Sequence, residues 1–119
     1  MASKNYFLNG VAELLILSIL KKNDTYIYDI KKIISEISNN TLPMSQNTIY
    51  AAAYKLENEN KITEYPKLVG KKRTRIYYHI EDAGMEYLEK LTSDYQMVTT
   101  NVGNILKFLA NDKENTSNE

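Results

Sequence analysis

At 119 residues, 43% of them hydrophobic, the chain has the length of one domain whose core can fold without covalent staples, and a second domain does not fit. With no cysteine, it excludes a disulfide framework, a thiolate metal site and zinc fingers. Fifteen basic and fifteen acidic side chains cancel, so net charge does not announce a polyanionic partner and only the placement of charge is informative.

Phe7, Leu8, Val11, Leu14, Leu15 and Ile19 recur at helical spacing with Ser18 among them, and Lys21-Lys22-Asn23 supply a basic last turn and a stop. The Val11–Leu20 run is interrupted by Glu13 and Ser18 and is too short to span a bilayer, and no small-residue cleavage pattern follows it. A soluble, cytoplasmic protein without a membrane partner is expected. A second amphipathic helix opens on Asp24 or Thr25 as N-cap, carries Ile27, Ile30, Ile34 and Ile37 on one stripe, and ends at Ser38-Asn39-Asn40. After the turn Thr41–Met44, Ser45 caps a third helix that turns Ile49, Ala53 and Leu56 inward and leaves Gln46, Asn47, Thr48 and Tyr50 near its exposed start.

Beyond Asn60, which tolerates the left-handed backbone of a helix C-cap, the period changes. Ile62–Val69 and Arg75–Ile80 read as two strands around the turn Gly70-Lys71-Lys72-Arg73, and Pro66, which cannot donate to a ladder, places the first strand at an open edge. Between Lys61 and His79, Lys61, Lys67, Lys71, Lys72, Arg73 and Arg75 face the single acid Glu64, a local basic patch that zero net charge conceals. A last helix starts near Glu81 or Asp82 and sets Leu88, Leu91, Tyr95, Val98, Val102, Ile105 and Leu109 at alternating spacings of three and four, an a/d heptad seam. It would reach roughly 40 Å and must bury its stripe, for which a second copy of the chain is the natural partner. The fold class expected is therefore mainly α with a two-stranded β wing: a winged helix-turn-helix over residues 1–80, a long C-terminal dimerisation helix over 81–110, and a polar, disordered tail over 111–119.

Lysine and arginine at a hairpin tip can neutralise the closely spaced phosphates of a DNA duplex by releasing counterions, and Lys71, Lys72, Arg73 and Arg75 suit that task. A basic turn is equally compatible with a solvated hairpin protected from edge pairing, and strand alternation puts Arg73 and Arg75 on one face with Lys72 opposite. At the third helix, the amides of Gln46 and Asn47 can pair with adenine edges, and the hydroxyls of Ser45, Thr48 and Tyr50 with phosphates; Lys55 would add a phosphate contact farther along. Capping alone is the alternative for Ser45, and packing of its ring on the second helix the alternative for Tyr50. In a two-fold dimer the recognition helices lie about 34 Å apart, which predicts a palindromic site. His79 stands alone, without a second histidine or a cysteine to complete a metal site, and is expected to be structural; no metal and no cofactor are predicted. No nucleophile-base pair, phosphate-cradling glycine loop or carboxylate dyad is present, Glu57 and Glu59 lying on different helix faces, so catalysis is not expected. The competing reading is a winged-helix protein-interaction module that does not bind DNA.

Three motifs carry a family resemblance: Tyr26-Ile27-Tyr28-Asp29-Ile30; Ser45-Gln46-Asn47-Thr48-Ile49-Tyr50 followed by Leu56-Glu57; and Gly70, Lys72, Arg73, Arg75, Tyr77, Tyr78 and Gly84. In this order and spacing they resemble the PadR family of bacterial transcriptional regulators over most of residues 7–88, in its compact branch with a single C-terminal helix. Departures are Ile27 and Asn60 where glycine is common, Ala51 where proline is, and Glu81 where threonine is. The resemblance implies a homodimeric repressor on a palindromic promoter site, released by a small aromatic ligand at the dimer centre. Compact drug-sensing members carry an aromatic residue, commonly tryptophan, near the place of Tyr95; this chain has no tryptophan. Ala12, Leu15, Asp94 and Met97 are predicted from helical position to line the same space, while simple interface packing is the alternative for Tyr95.

Overall fold

The computed structural model describes residue 8 and residues 10–117, with side chains through residue 111; Phe7, at the expected start of the first helix, lies outside the described residues. Helix α1 spans Val11–Lys22 and opens where Gly10 takes the left-handed backbone, φ 83°, with no side chain capping it. The apolar periodicity therefore begins before the helix does, because a backbone of that hand cannot continue an α-helix.

Helix α2 spans Ile27–Ile37, and its N-cap is Tyr26 in extended conformation, not Asp24 or Thr25. Both expected caps are engaged elsewhere. The Thr25 carbonyl accepts from the Tyr78 amide at 2.8 Å, its hydroxyl donates to Asp29 at 2.7 Å, and Asp24 receives side chains from the wing. Ile27, Ile30 and Ile34 are buried as the stripe predicts, but Ile37 is 81% exposed. It sits on the last residue of the helix, before Asn39 and Asn40 adopt φ 53° and 61° and turn the chain away, and it rims an apolar pocket with Leu15, Ile19, Ile33 and Leu42.

Helix α3 spans Gln46–Asn58, with Ser45 as N-cap and Ile49, Ala53 and Leu56 buried. Its C-terminus closes as the sequence suggests. Asn60 has φ 60°, the Lys61 amide reaches the Leu56 carbonyl at 2.9 Å and the Asn60 amide the Glu57 carbonyl at 3.0 Å, the paired bonds of a Schellman motif.

Strands β1 (Ile62–Val69) and β2 (Arg73–Ile80) pair antiparallel from Ile62↔Ile80 to Val69↔Arg73. The second strand starts two residues earlier than predicted, since Gly70 at φ 70° lets Gly70–Lys72 reverse the chain. Thr25 bridges to Tyr78 on the far side of β2, so β1 is the open edge and Pro66 leaves no ladder bond unmade. One wing face turns Ile62, Tyr78 and Ile80 into the core beside Ile16, Leu17, Leu20, Ile30, Ile49 and Leu56. Full burial of each such side chain contributes about 1.5–3 kcal/mol.

Helix α4 spans Asp82–Ser117. The chain divides into two units, one ending at Leu88 and one beginning at Glu89. Leu88, expected in the dimerisation seam, is 6% exposed in the single chain and belongs to the core of the first unit, so the exposed seam starts beyond it. The helix also continues past residue 110 through a polar segment expected to be disordered; once nucleated, a helix gains one hydrogen bond for each residue it adds. Gly84 packs so tightly that a Cβ there would fall on the Lys61 carbonyl oxygen and the Ile80 side chain. Gly84→Ala is accordingly expected to destabilise the fold by about 1–3 kcal/mol, the range for overpacking, as a lower urea midpoint with an unchanged m-value.

Candidate nucleic-acid interface

Helix α3 sorts its side chains by angle. With Ile49, Ala53 and Leu56 turned inward, the residues opposite them are Asn47, Ala51, Tyr54 and Asn58, all exposed, Tyr54 to 68%. Of the residues predicted to read or position DNA, Asn47 lies on this outward stripe. Ser45 caps the helix, its Oγ accepting from the Thr48 amide at 3.1 Å and lying 3.0 Å from the Thr48 hydroxyl, so both hydroxyls already serve the cap. Gln46 and Tyr50 fall on the wing side, lining a pocket of about 260 Å³ with Tyr26, Tyr28, Glu64, Arg75 and Tyr78. Tyr50 remains half-exposed there. Burial, with the Glu64 and Glu57 carboxylates and the Tyr50 phenol nearby, pushes the Tyr78 hydroxyl up to about 12, so it stays a neutral donor.

Lys55 is turned to the opposite side of the helix. Its Nζ lies 3.0 Å from Oε2 of Glu13, which also accepts from the Tyr87 hydroxyl at 2.8 Å through Oε1. Glu13, an interruption of an apolar run in the sequence, is 8% exposed and ties α1 to α3 and to the first turns of α4. The ammonium of Lys55, predicted to contact a phosphate, thus also serves an internal carboxylate, because a nearly buried acid needs a cationic or hydrogen-bonding partner, while 56% of the Lys55 side chain stays exposed.

The wing carries its cations in two ways. Lys71, Lys72 and Arg73 are exposed at the tip and make no ion pair among the described residues. Lys67 and Arg75 instead cover aromatic rings, Lys67 Nζ at 4.7 Å from the Tyr77 centroid and the Arg75 guanidinium at 4.4 Å from that of Tyr26. Tyr77 in turn stands 5.4 Å from Tyr26 and 5.9 Å from Tyr65, so one wing face is an aromatic layer with cations above it. The motif tyrosines are thus what fixes the wing against the α2 entry.

Asp24 fastens the base of the same face, accepting from the Tyr65 hydroxyl at 2.8 Å and pairing with Nδ1 of His79 at 2.9 Å. The hydrogen bond to Asp24 raises the His79 imidazole above its ordinary value. Burial pushes the Asp24 carboxyl up, but the bonds from His79 and Tyr65 outweigh it and hold the group below the usual carboxylate range. A raised histidine contributes stability that is fully present below its unfolded value of about 6.5 and is lost as pH rises through the folded one. Asp24, depressed, contributes above its unfolded value and loses that contribution as pH falls through the folded one. The clasp is therefore strongest between those two points. Melting curves from pH 6 to 8.5 should show the native protein losing more stability with rising pH than His79→Gln does, by a small margin because both partners are solvent-accessible.

In the second unit Tyr95, Val98, Val102, Ile105 and Leu109 are each about half-exposed, as is Met97, and they are flanked by the more exposed Leu106 and Phe108. Asp94, predicted as a polar contact for a ligand, receives Lys90 Nζ at 2.8 Å one turn away. Ala12 and Leu15, predicted to line the same space, lie in the first unit; Ala12 is buried in its core, and Leu15 lines the apolar pocket rimmed by Ile37. Among the described residues no cluster of histidine, cysteine, aspartate or glutamate could hold a metal ion, and no helix is long and apolar enough to cross a membrane.

The model of the transcriptional regulator PadR-like family matches residues 16–90. A transcriptional regulator from Clostridium thermocellum has a similar structure, with a TM-score of 0.74 and 26% identity over 82% of this chain and 92% of that one. A PadR-like transcriptional regulator from Bacillus cereus is 31% identical, with a TM-score of 0.71, over 83% and 94% of the two chains. PadR of Bacillus subtilis, solved in complex with operator DNA, is 28% identical with a TM-score of 0.60, over 67% of this chain and 46% of that one.

Proposed function

The chain belongs to the PadR-like family of transcriptional regulators, and from that premise we propose that it is a repressor which binds a palindromic promoter site as a homodimer, with α3 in the major groove and the wing tip on the flanking phosphates. The observation that carries this reading is the pairing of an uncommitted outward stripe on α3, beginning with Asn47, with a wing tip whose Lys71, Lys72 and Arg73 have no internal partner among the described residues. Internal duties account for the other basic side chains nearby, Lys55 on Glu13, Lys67 on Tyr77 and Arg75 on Tyr26. The likeness to a regulator solved in complex with operator DNA supports a DNA partner for this chain.

The dimer is supported by the seam from Tyr95 to Leu109, a half-exposed apolar stripe too long to leave in water. Leu106 and Phe108 widen it beyond a strict a/d line, which suits a partner surface broader than one helix. Tyr95, at an a position where an aliphatic residue would pack more simply, is the proposed contact for a flat aromatic ligand between the two copies, with Met97 beside it. Such a ligand releases DNA only if it binds one dimer conformation better than the other. Selection of duplexes from a random pool by the purified chain, at moderate and high salt, tests the proposal. Enrichment of a salt-sensitive palindrome supports it, and enrichment of nothing overturns it in favour of a protein-interaction module. The ligand clause falls separately if aromatic compounds that quench or shift tyrosine fluorescence leave operator affinity unchanged.

A further inference from the structure

Asn47, Ala51, Tyr54 and Asn58 follow one another at four, three and four residues, one line along α3 opposite the core positions. Ala51 is the smallest side chain on that line, set between the longer Asn47 and Tyr54. A helix laid into a groove comes nearest the base edges at its N-terminal half, and there Ala51 is the point at which the backbone itself can approach. Gln46 and Tyr50 line the wing-side pocket, and Lys55 is bound to Glu13, so Asn47 and Ala51 are the two outward positions of that half.

Resting on the regulator reading above, we infer that Ala51 is a specificity-determining residue and that each operator half-site sets a thymine against it, next to an adenine read by Asn47. A lone methyl group can neither donate nor accept a hydrogen bond. Its complement in the major groove is the C5-methyl of thymine, the one apolar group a base presents there, while the amide of Asn47 matches the paired donor and acceptor of adenine. Four residues of helix advance about 6 Å, close to two base-pair steps of roughly 3.4 Å, so the two contacts fall on nearby pairs of one A·T-rich element. Ala51 lies within the regular helix Gln46–Asn58.

The test uses the native dimer and the palindrome it selects. Each thymine is replaced in turn by deoxyuridine, which keeps the base pair and removes only the methyl group. One position in each half-site should weaken binding about fourfold, the factor carried by burying a single such group. Ala51→Gly, which removes the contact from both half-sites at once, should weaken binding to the unmodified duplex about 16-fold and become indifferent to deoxyuridine at that position. The scan of the native protein needs no variant, and Ala51→Ser, less costly to the helix than glycine, should also lose the discrimination. A selected palindrome with no deoxyuridine-sensitive position, or a sensitivity that persists in both variants, overturns the assignment of Ala51 and leaves the regulator reading standing. Failure to select any duplex overturns both.

Discussion

Replacing Lys71, Lys72 and Arg73 together by alanine is expected to weaken binding to the selected operator about 10,000-fold at moderate salt while leaving the fold intact, since the two wings of the proposed dimer lose about six contacts between them. Each exposed phosphate contact is worth about 1 kcal/mol, or roughly fivefold, once solvent screening discounts a charge-assisted hydrogen bond. The second signature is more diagnostic than the first. Each lost contact should make the plot of log affinity against log salt shallower by about 0.9, because fewer counterions are released. Stability should change by less than about 0.5 kcal/mol, since the three side chains are exposed and hold no ion pair among the described residues. Lys55→Ala supplies the contrast: it removes the cation from nearly buried Glu13, so thermal stability should fall while the salt slope stays unchanged. Fluorescence anisotropy across a salt series measures both quantities, and a triple variant with the native slope would remove the wing tip from the interface.

Val102→Asp should turn the proposed dimer into a monomer and cost at least about 100-fold in operator affinity. Val102 is half-exposed in the single chain and lies in the unit beginning at Glu89, so the substitution leaves the first unit's core untouched. In the dimer the same change sets a carboxylate from each copy in an apolar seam, where the effective penalty is several kcal/mol per ion. A palindrome rewards two linked helices because the second contact is made at high effective concentration, and a monomer forfeits that advantage. Sedimentation equilibrium reads the oligomeric state, and mobility shifts on full and half operators read the loss of linkage. A variant that stays dimeric would show that the seam is not the dimer contact, and one that dissociates yet binds the full operator like the native chain would show that pairing is not needed.

Periodicity determined by itself the three helices, the basic hairpin and the long last helix, because a period of 3.6 or 2 records which face must leave water. Local chemistry determined the Ser45 cap, the left-handed Asn60 and the edge position of Pro66, each of which depends only on a residue's own backbone preferences and near neighbours. The outward stripe of α3 was also latent there, since Ala51, Tyr54 and Asn58 lie opposite Ile49, Ala53 and Leu56 by helical angle alone. What only the tertiary structure decided was how polar side chains were paired. Glu13 finds Lys55 and Tyr87 at sequence separations of 42 and 74 residues, and Asp24 finds His79 and Tyr65 at 55 and 41. Those pairings tied Lys55 to Glu13 and took Asp24 away from the α2 cap, just as the core claimed Leu88. A charge or a leucine in a sequence states what it needs to bury or to pair, but many partners satisfy that need equally, and only the folded chain brings one of them within 3 Å.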